Sequence, residues 1–309
     1  MSVPVKTLLA IVMAPLLSVA MAAQAPTAAQ PAFATPEEAV EALGAASKAS
    51  DVTALVALLG KGSEDLASSS DAATARKNRD VFVAAMAQHW KLEDRDATHK
   101  ELVVGHEAWP FPVPLVKGAR GWTFDAAAGR EEVLARRIGR NELAAIRVAN
   151  TFVKAQKLYA SRGHDGKPAG IYARRVASEP GKENGLYWPA TPGKPRSPLG
   201  DLVAEAAVEG RPAANAKGRS PFHGYYFRIL EAQGSAAAGG TKNYIVKGEL
   251  SGGFAMIAWP AQPGLSGVMT FIVNQDGVVY EKSLGKDTAS AVAAITRFNP
   301  DKSWTRVTP

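Results

Sequence analysis

The feature that most constrains the fold of this chain is a long periodic stretch from Gly129 to Ser161. When this stretch is stepped at 100° per residue, its apolar side chains fall on one stripe, as in an amphipathic helix. At 1.5 Å per residue such a helix is roughly 45 Å long. Gln156 lies within the stripe, and we expect its amide to be buried and bonded to a neighbouring loop. The apolar stripe consists of Leu134, Ile138, Ala145, Ala149, Phe152 and Tyr159.

The residues before this stretch predict three helices and then several short strands. Thr35 is a predicted N-cap, because a proline suits the first helical position and two glutamates follow it. Asp51 is expected to cap a second short helix, and Asp71 to begin a third that extends towards Trp90. The predicted strands are Glu101–Gly105, Val113–Lys117 and Gly121–Asp125.

Residues 162–220 are rich in glycine, proline and charge. They predict an irregular segment with one short helix at Leu202–Val208. The chain beyond is strand-like, with a hairpin turn expected at Asn274–Gly277 and a C-terminal helix at Thr288–Thr296. The predicted strands are Tyr225–Leu230, Asn243–Lys247, Gly253–Trp259, Val268–Val273 and Val278–Lys282.

These elements predict an α+β protein of two packed parts. Residues 35–127 are an N-terminal helical part with a short sheet, and residues 128–309 are the long helix packed on an antiparallel sheet. The chain has 309 residues, 46% of them hydrophobic, which is enough for two cores. It contains no cysteine, which excludes disulfides, cysteine nucleophiles, thiolate metal sites and a lipid-modified cysteine. We therefore expect its stability to come from apolar packing.

Residues 1–22 have the pattern of a cleavable export signal. Lys6 supplies the positive charge, and the apolar run after it ends in small residues. Cleavage is predicted after Ala22 or Ala23, with Ala25 as an alternative, and residues 23–34 are a predicted flexible tether. Because the run is short for a membrane span, we expect a periplasmic or secreted bacterial protein, exported by the general secretory (Sec) route. It has no stable membrane span once the leader is removed; an uncleaved N-terminal anchor is the alternative.

Seven segments spread over nearly all of the chain after the leader share a family resemblance. They are FATPEEAV (33–40), EEVLARRIGRNELAAI (131–146), GLYWP (185–189), SPLG (197–200), PFHGYYFRIL (221–230), GFAMIAWPA (253–261) and GVMTFIVNQDGVVYEKSLG (267–285). These segments resemble the bacterial family of domains of unknown function numbered 2950 (DUF2950). The resemblance implies an exported, uncharacterised bacterial protein with no established activity. It also implies an acidic residue where this chain has Ser283, which argues against an essential carboxylate there.

The C-terminal part has a second, more distant resemblance. The helix ending AQKLY (155–159) and the hairpin FIVNQDGVV (271–279) are similar to the soluble domains of type IV pilin-like and pseudopilin-like proteins. That resemblance implies a helix packed on a pilin-like antiparallel sheet. In pilins an apolar membrane-inserting helix runs directly into this helix, whereas here the comparable apolar run is the leader, far upstream. The chain is therefore expected to share the module without being a fibre subunit.

The densest polar group in a regular element consists of Arg136, Arg137, Arg140, Asn141 and Glu142. Residues four apart share one helix face, so Arg136 and Arg140 can form a fork for an anionic group. Glu132, one turn earlier, can satisfy Arg136 instead. Two interpretations stay open: a binding site for an anion or polysaccharide, or arginines that cover a domain junction or a solvated helix face.

Tyr187 and Trp188 are the aromatic candidates for binding. Trp188 precedes a proline, which favours an extended backbone. In the irregular segment the pair predicts an exposed platform that stacks on sugars or proline-rich peptides; the alternative is that these rings close the edge of a core. His223 completes the candidate binding residues.

The sequence indicates no catalytic residue, metal site or cofactor. Its five histidines lack the spacing of metal ligands, and the S-x-x-K match at Ser283–Lys286 lacks the motifs that accompany it in penicillin-binding proteins. There is no nucleotide-binding loop. The net charge of +7 is spread along the chain, and together with export this argues against nucleic acid as a partner.

The leading hypothesis is a non-enzymatic envelope protein, a binding or assembly module for an envelope polymer, an envelope protein partner or a secretion or pilus-like apparatus. The alternative is an envelope hydrolase whose site is assembled in space from carboxylate and histidine groups, with His223, Glu142 and Arg140 as the first candidates. A third hypothesis is a periplasmic protein with a purely structural role.

Overall fold

The computed structural model of the protein describes residues 29–67, 72–193, 195–200 and 221–308. The chain divides into two compact units, one ending at Ala126 and the other beginning at Ala127. The predicted leader with its cleavage sites, the first part of the predicted tether, Asp71 and the predicted helix Leu202–Val208 lie outside the described residues. Among the residues that are described, none of the helices has both the length and the apolar character needed to cross a membrane.

The N-terminal unit begins with helices whose caps were predicted from the sequence. The Thr35 hydroxyl accepts the backbone N–H of Glu38 at 3.3 Å, and the Glu38 carboxylate accepts that of Ala34 at 3.1 Å. Asp51 caps the next helix by accepting the N–H of Ala54 at 3.0 Å. These bonds satisfy donors that a first helical turn leaves unpaired. The helices are α1 (Pro36–Ala49), α2 (Val52–Leu59), α3 (Glu64–Ala67) and α4 (Ala72–Gln88).

An antiparallel sheet follows, in the order β1-β2-β4-β5, with β3 paired to β2. The third helix was predicted to extend towards Trp90, but it ends at Gln88 and Trp90 opens β1, because Trp90 pairs with Val104 across the sheet. The core between helices and sheet includes Leu43, Leu55, Leu102, Leu115 and Phe124. The strands are β1 (Trp90–Asp94), β2 (His99–Val104), β3 (Trp109–Pro110), β4 (Leu115–Gly118) and β5 (Gly121–Phe124).

The segment before α1 is held against this unit. The Gln30 amide donates to the carbonyl of Leu58 at 2.9 Å and to that of Phe124 at 2.8 Å. Phe33 and Trp122 exchange backbone hydrogen bonds at 2.9 and 2.8 Å. Gln30 and Phe33, in the second half of the predicted tether, thus have hydrogen-bond partners on α2 and on the sheet.

The C-terminal unit is built on the predicted long helix, α5 (Ala126–Ala160), which has 35 residues. Its inward face includes the buried Ala145, Ala149, Phe152 and Tyr159. The prediction for Gln156 is confirmed: it is fully buried, its Nε2 donates to the carbonyl of Ala173 at 2.8 Å, and its Oε1 accepts the N–H of Ala173 at 2.9 Å. One buried amide therefore attaches the irregular segment to the helix.

The main sheet of this unit is antiparallel, in the order β14-β13-β12-β11-β6. Its central strand, β11, is buried along its whole length. The hairpin between β12 and β13 turns at Asn274–Gly277, as predicted, with Gly277 at φ +79° donating its N–H to Asn274. The strands are β6 (Tyr225–Leu230), β11 (Ala255–Pro260), β12 (Met269–Asn274), β13 (Val279–Ser283) and β14 (Thr305–Arg306).

Two short strand pairs and a helix complete the unit. The predicted strand Asn243–Lys247 is divided at Tyr244, because that ring is buried and its hydroxyl donates to Gln233 Oε1 at 2.7 Å. The C-terminal helix, α6 (Thr288–Ala294), ends two residues earlier than predicted. The short strands are β7 (Ala232–Gln233), β8 (Lys242–Asn243), β9 (Ile245–Val246) and β10 (Glu249–Leu250). The helices and antiparallel sheets confirm the mixed α+β class.

Candidate functional site

The polar cluster predicted at residues 136–142 lies on α5, and the turn of the helix gives its members different partners. Arg136 donates from Nε to Glu132 Oε1 at 2.7 Å, four residues earlier. Its side chain is 23% exposed, so it is largely covered. Arg136 thus has Glu132 as the partner that a spacing of four residues allows, and this contact takes the place of the fork with Arg140.

Three members of the cluster bind the segment that connects β11 to β12. Arg137 Nε donates to the carbonyl of Leu265 at 3.2 Å, and Asn141 Nδ2 donates to that of Ser266 at 2.8 Å. Glu142 Oε1 accepts the backbone N–H groups of Val268 and Met269 at 2.8 and 2.9 Å. Side chains of α5 thus satisfy backbone groups of this connection and of the first residue of β12.

Tyr225 closes the same junction from β6. Its hydroxyl donates to the carbonyl of Met269 at 2.9 Å and lies 3.5 Å from Glu142 Oε1. Burial raises the pKa of Tyr225 well above its ordinary value, and the neighbouring Glu142 carboxylate adds to this. A Cβ at position 267 would lie 2.1 Å from the Tyr225 hydroxyl, which explains why Gly267 stands there.

Arg140 differs from the rest of the cluster. It is exposed and has no hydrogen-bond or ion-pair partner among the described residues. It begins an outward stripe along α5 in which exposed positions alternate three and four residues apart. The stripe consists of Arg140, Leu143, Arg147, Asn150, Lys154 and Lys157. Sequence reasoning missed its last five members, although a cation every seven residues from 140 to 154 was the signal that could have revealed the stripe.

The cations of this stripe have no counter-charge nearby on the helix. Within the part of the chain that the structure describes, Arg140, Arg147, Lys154 and Lys157 make no ion pair. The carboxylates of α5 are Glu131 and Glu132, in its first two turns, and Glu142, which is bonded to backbone. We call Arg140, Arg147, Lys154 and Lys157 the basic stripe.

Comparison with known families identifies the chain. The profile of the family described as "Protein of unknown function (DUF2950)" matches residues 30–307. The chain belongs to the DUF2950 family. No curated protein matches it, and no solved structure matches it. The resemblance to DUF2950 is thus confirmed, while the resemblance to pilin-like proteins stays a prediction.

Trp188 of this DUF2950 protein is not an exposed platform. It is only 7% exposed, and its indole lies 5.5 Å from the His164 ring, which itself stacks on Tyr159 at 4.1 Å. Its Nε1 donates to the carbonyl of Pro195 at 3.4 Å. Tyr187 is half-buried and pairs through its backbone with Val176 and Ser178. The described contacts of Trp188 therefore match the alternative interpretation, a ring that closes a core edge.

His223 stands at a turn in the DUF2950 chain just before β6. It has φ +45°, and its ring packs on Phe222 with centroids 4.2 Å apart. Within the described ranges, no group of three or more His, Asp and Glu side chains is arranged to hold a metal ion. Of the predicted site residues, Arg140 alone belongs to the basic stripe, whose four cations are exposed along α5.

Proposed function

We propose that this protein is an exported, non-enzymatic binding module of the bacterial envelope that holds an acidic polysaccharide along the basic stripe of α5. One observation carries the proposal: four exposed cations lie in line on one helix and make no ion pair within the described residues. The pattern of the leader, with Lys6 before an apolar run that ends at Ala22, supports export to the envelope.

The spacing of the cations favours a polymer over a small anion. Arg140, Arg147 and Lys154 are seven residues apart, which is about 10 Å along a helix. One carboxylate cannot contact Arg140 and Lys154 together, because these residues are about 21 Å apart along the helix and an ion pair requires approach to about 4 Å. An extended chain whose acidic groups recur at a similar interval contacts all of them at once, and each contact raises the effective concentration for the next.

The composition of the stripe favours a polysaccharide over a nucleic acid. Duplex DNA carries one charge per about 1.7 Å of axis, which is far denser than this row of cations. Leu143 is 60% exposed between Arg140 and Arg147, and Asn150 lies between Arg147 and Lys154. An apolar side chain and an amide between the cations suit the mixed apolar and hydroxyl surface of a sugar chain.

The described contacts of Glu142 and Arg140 do not favour the hydrolase alternative. Glu142 binds backbone N–H groups, and Arg140 has no partner among the described residues. The ring of His223 packs on Phe222. The binding module is therefore the function that these contacts favour.

The test measures binding of the protein from residue 23 onward to polygalacturonate, with neutral dextran and anionic phosphatidylglycerol vesicles as comparison ligands. In the variant Arg140→Gln/Arg147→Gln/Lys154→Gln each lost contact costs about 0.5–1 kcal/mol. The dissociation constant for polygalacturonate should thus rise roughly 10- to 100-fold. Binding of the unsubstituted protein should also weaken with added salt, because the Debye length falls to about 8 Å at 0.15 M.

A variant of equal charge change controls for nonspecific attraction. Lys242, Lys286 and Arg306 are exposed cations outside α5, and changing all three to Gln should leave the affinity within about 3-fold of the original. Equal weakening by the two variants, or no weakening by the first, would refute the proposal. Tighter binding to vesicles than to polygalacturonate would assign the stripe to a lipid surface instead.

A further inference from the structure

A cavity of about 320 Å³ lies in the C-terminal unit, on the sheet face that α6 covers. Ile272 of β12 and Lys282 of β13 form its floor. They share a face because Lys282 pairs with Thr270, two residues from Ile272. Thr296, Arg297 and other residues after α6 form one wall, and Trp304 lines it near the C-terminus. None of these residues belongs to α5, so the cavity is separate from the basic stripe.

The charges in the lining favour an anion. Arg297 is exposed and makes no hydrogen bond or ion pair to any described residue. Lys282 Nζ donates to the Ser303 hydroxyl at 2.8 Å and lies 5.9 Å from the ring centroid of Trp304. Asp301 also lines the cavity, and hydrogen bonds from the Ser303 hydroxyl and N–H lower its pKa, so it stays ionised. Two cations against one carboxylate leave Arg297 as the group without a counter-charge.

The walls are fixed before any ligand arrives. Arg228 of β6 donates from Nη2 to the carbonyls of Val292 and Ile295, at 2.8 and 2.6 Å, and so ties the end of α6 to the sheet. Asn299 Oδ1 accepts the N–H of Ala236 at 2.9 Å. A Cβ at Gly234 would lie 2.4 Å from that oxygen, so glycine allows this close approach. A wall held in this way loses little conformational entropy when a ligand binds.

We infer that this cavity binds one carboxylated sugar residue of hexuronic acid size. Its volume is at the lower end of the range for small-molecule sites, which suits a ligand the size of one sugar residue. The Arg297 guanidinium matches a carboxylate with two parallel N–H donors. The Trp304 ring supplies an apolar wall for the sugar ring, and Thr296 and Asn299 supply polar groups for its hydroxyls.

Titration calorimetry and saturation-transfer NMR with D-glucuronate test this inference, with D-glucose and acetate as probes for the sugar ring and the carboxylate alone. Glucuronate should bind at least 10-fold more tightly than either, because it uses both halves of the site. Arg297→Gln should weaken glucuronate about 10-fold or more and leave glucose unchanged. Trp304→Ala should remove detectable binding of both sugars, whereas Trp304→Phe should retain it.

Lys302→Gln is the matched control, because Lys302 is an exposed cation that does not line the cavity. It should leave glucuronate binding unchanged, as should the three substitutions in the basic stripe, which separates this site from the proposed polymer surface. Circular dichroism checks that Trp304→Ala is folded; if it is not, Arg297→Gln and Trp304→Phe decide. Equal binding of glucuronate, glucose and acetate, or no binding of glucuronate, would overturn the inference, as would an unchanged affinity in Arg297→Gln.

Discussion

Glu142 is the side chain whose removal best tests how α5 is attached to the sheet. Its Oε1 accepts backbone N–H groups from Val268 and Met269 at 2.8 and 2.9 Å. A hydrogen bond to a charged group contributes about 1.5–3 kcal/mol net, and because Glu142 is only half-buried the lower end applies. Glu142→Ala should therefore lower the free energy of unfolding by about 3 kcal/mol. Glu142→Gln keeps one acceptor oxygen and should cost about half as much.

Urea unfolding followed by tryptophan fluorescence measures this loss. The two units can unfold separately, so the transition of the C-terminal unit has to be resolved from that of the N-terminal unit. For a domain of this size 1 kcal/mol corresponds to about 2–4 °C in Tm, so Glu142→Ala should lower that Tm by roughly 6–12 °C. The transition of the N-terminal unit should stay in place.

Glu132→Ala is the control for loss of a carboxylate from the same helix. Its exposed pair with Arg136 is worth about 0.5 kcal/mol or less. The reasoning fails if Glu142→Ala unfolds within about 0.5 kcal/mol of the unsubstituted protein. It fails equally if Glu132→Ala costs as much, because the loss would then follow from charge and not from the backbone contacts.

Three further predictions concern one tyrosine at alkaline pH and two glycines. Burial raises the pKa of Tyr159 from 10 to about 12, so its contribution to stability is complete below pH 10 and is lost between pH 10 and 12. The urea midpoint of Tyr159→Phe should therefore fall less steeply over that pH range than the midpoint of the unsubstituted protein. Identical slopes would contradict this prediction. Gly121→Ala should destabilise the N-terminal unit by roughly 2–4 kcal/mol in thermal unfolding, since φ is +119° and the new Cβ would lie 2.3 Å from the Phe33 carbonyl oxygen. Gly139→Ala, where a Cβ meets nothing within 4 Å, should instead stabilise α5 by about 0.5–1 kcal/mol; if both changes destabilise equally, the contact argument is wrong.

The features that the sequence predicted correctly are those decided by neighbours in the chain. The long helix follows from a 3.6-residue period, and the caps of α1 and α2 follow from single side chains. The buried amide of Gln156 follows from its position in an apolar stripe. Tyr225–Leu230 has the predicted bounds because aromatic and aliphatic residues dominate it and a turn precedes it.

The misplaced elements depend on specific partners that no periodic pattern in the sequence identifies. Trp90 was predicted at the end of a helix, but it pairs with Val104 across the sheet. Tyr244 interrupts a predicted strand because its buried hydroxyl bonds to Gln233. The same holds for the site. Glu142 is 126 residues from Val268, and no local pattern reports such a contact. The cavity is even harder to predict from the sequence, because sheet register and the path of the C-terminal segment bring together Ile272, Lys282 and Trp304.

The density of charge along a sequence is a poor guide to the charge that a folded helix presents. The densest polar group of this chain, residues 136–142, is mostly directed at its own structure: Arg136 at Glu132, Arg137 at Leu265 and Glu142 at two backbone N–H groups. Arg140 differs because each residue of a helix is rotated by 100° from the next. Asn141 faces the 265–269 segment, and Arg140, one residue earlier, is turned away from it. Arg147 and Lys154, which accompany Arg140, follow at intervals of seven residues and look sparse in the sequence. Substitution of Arg137 should therefore act through stability, and substitution of Arg140 through binding, although the two arginines are three residues apart.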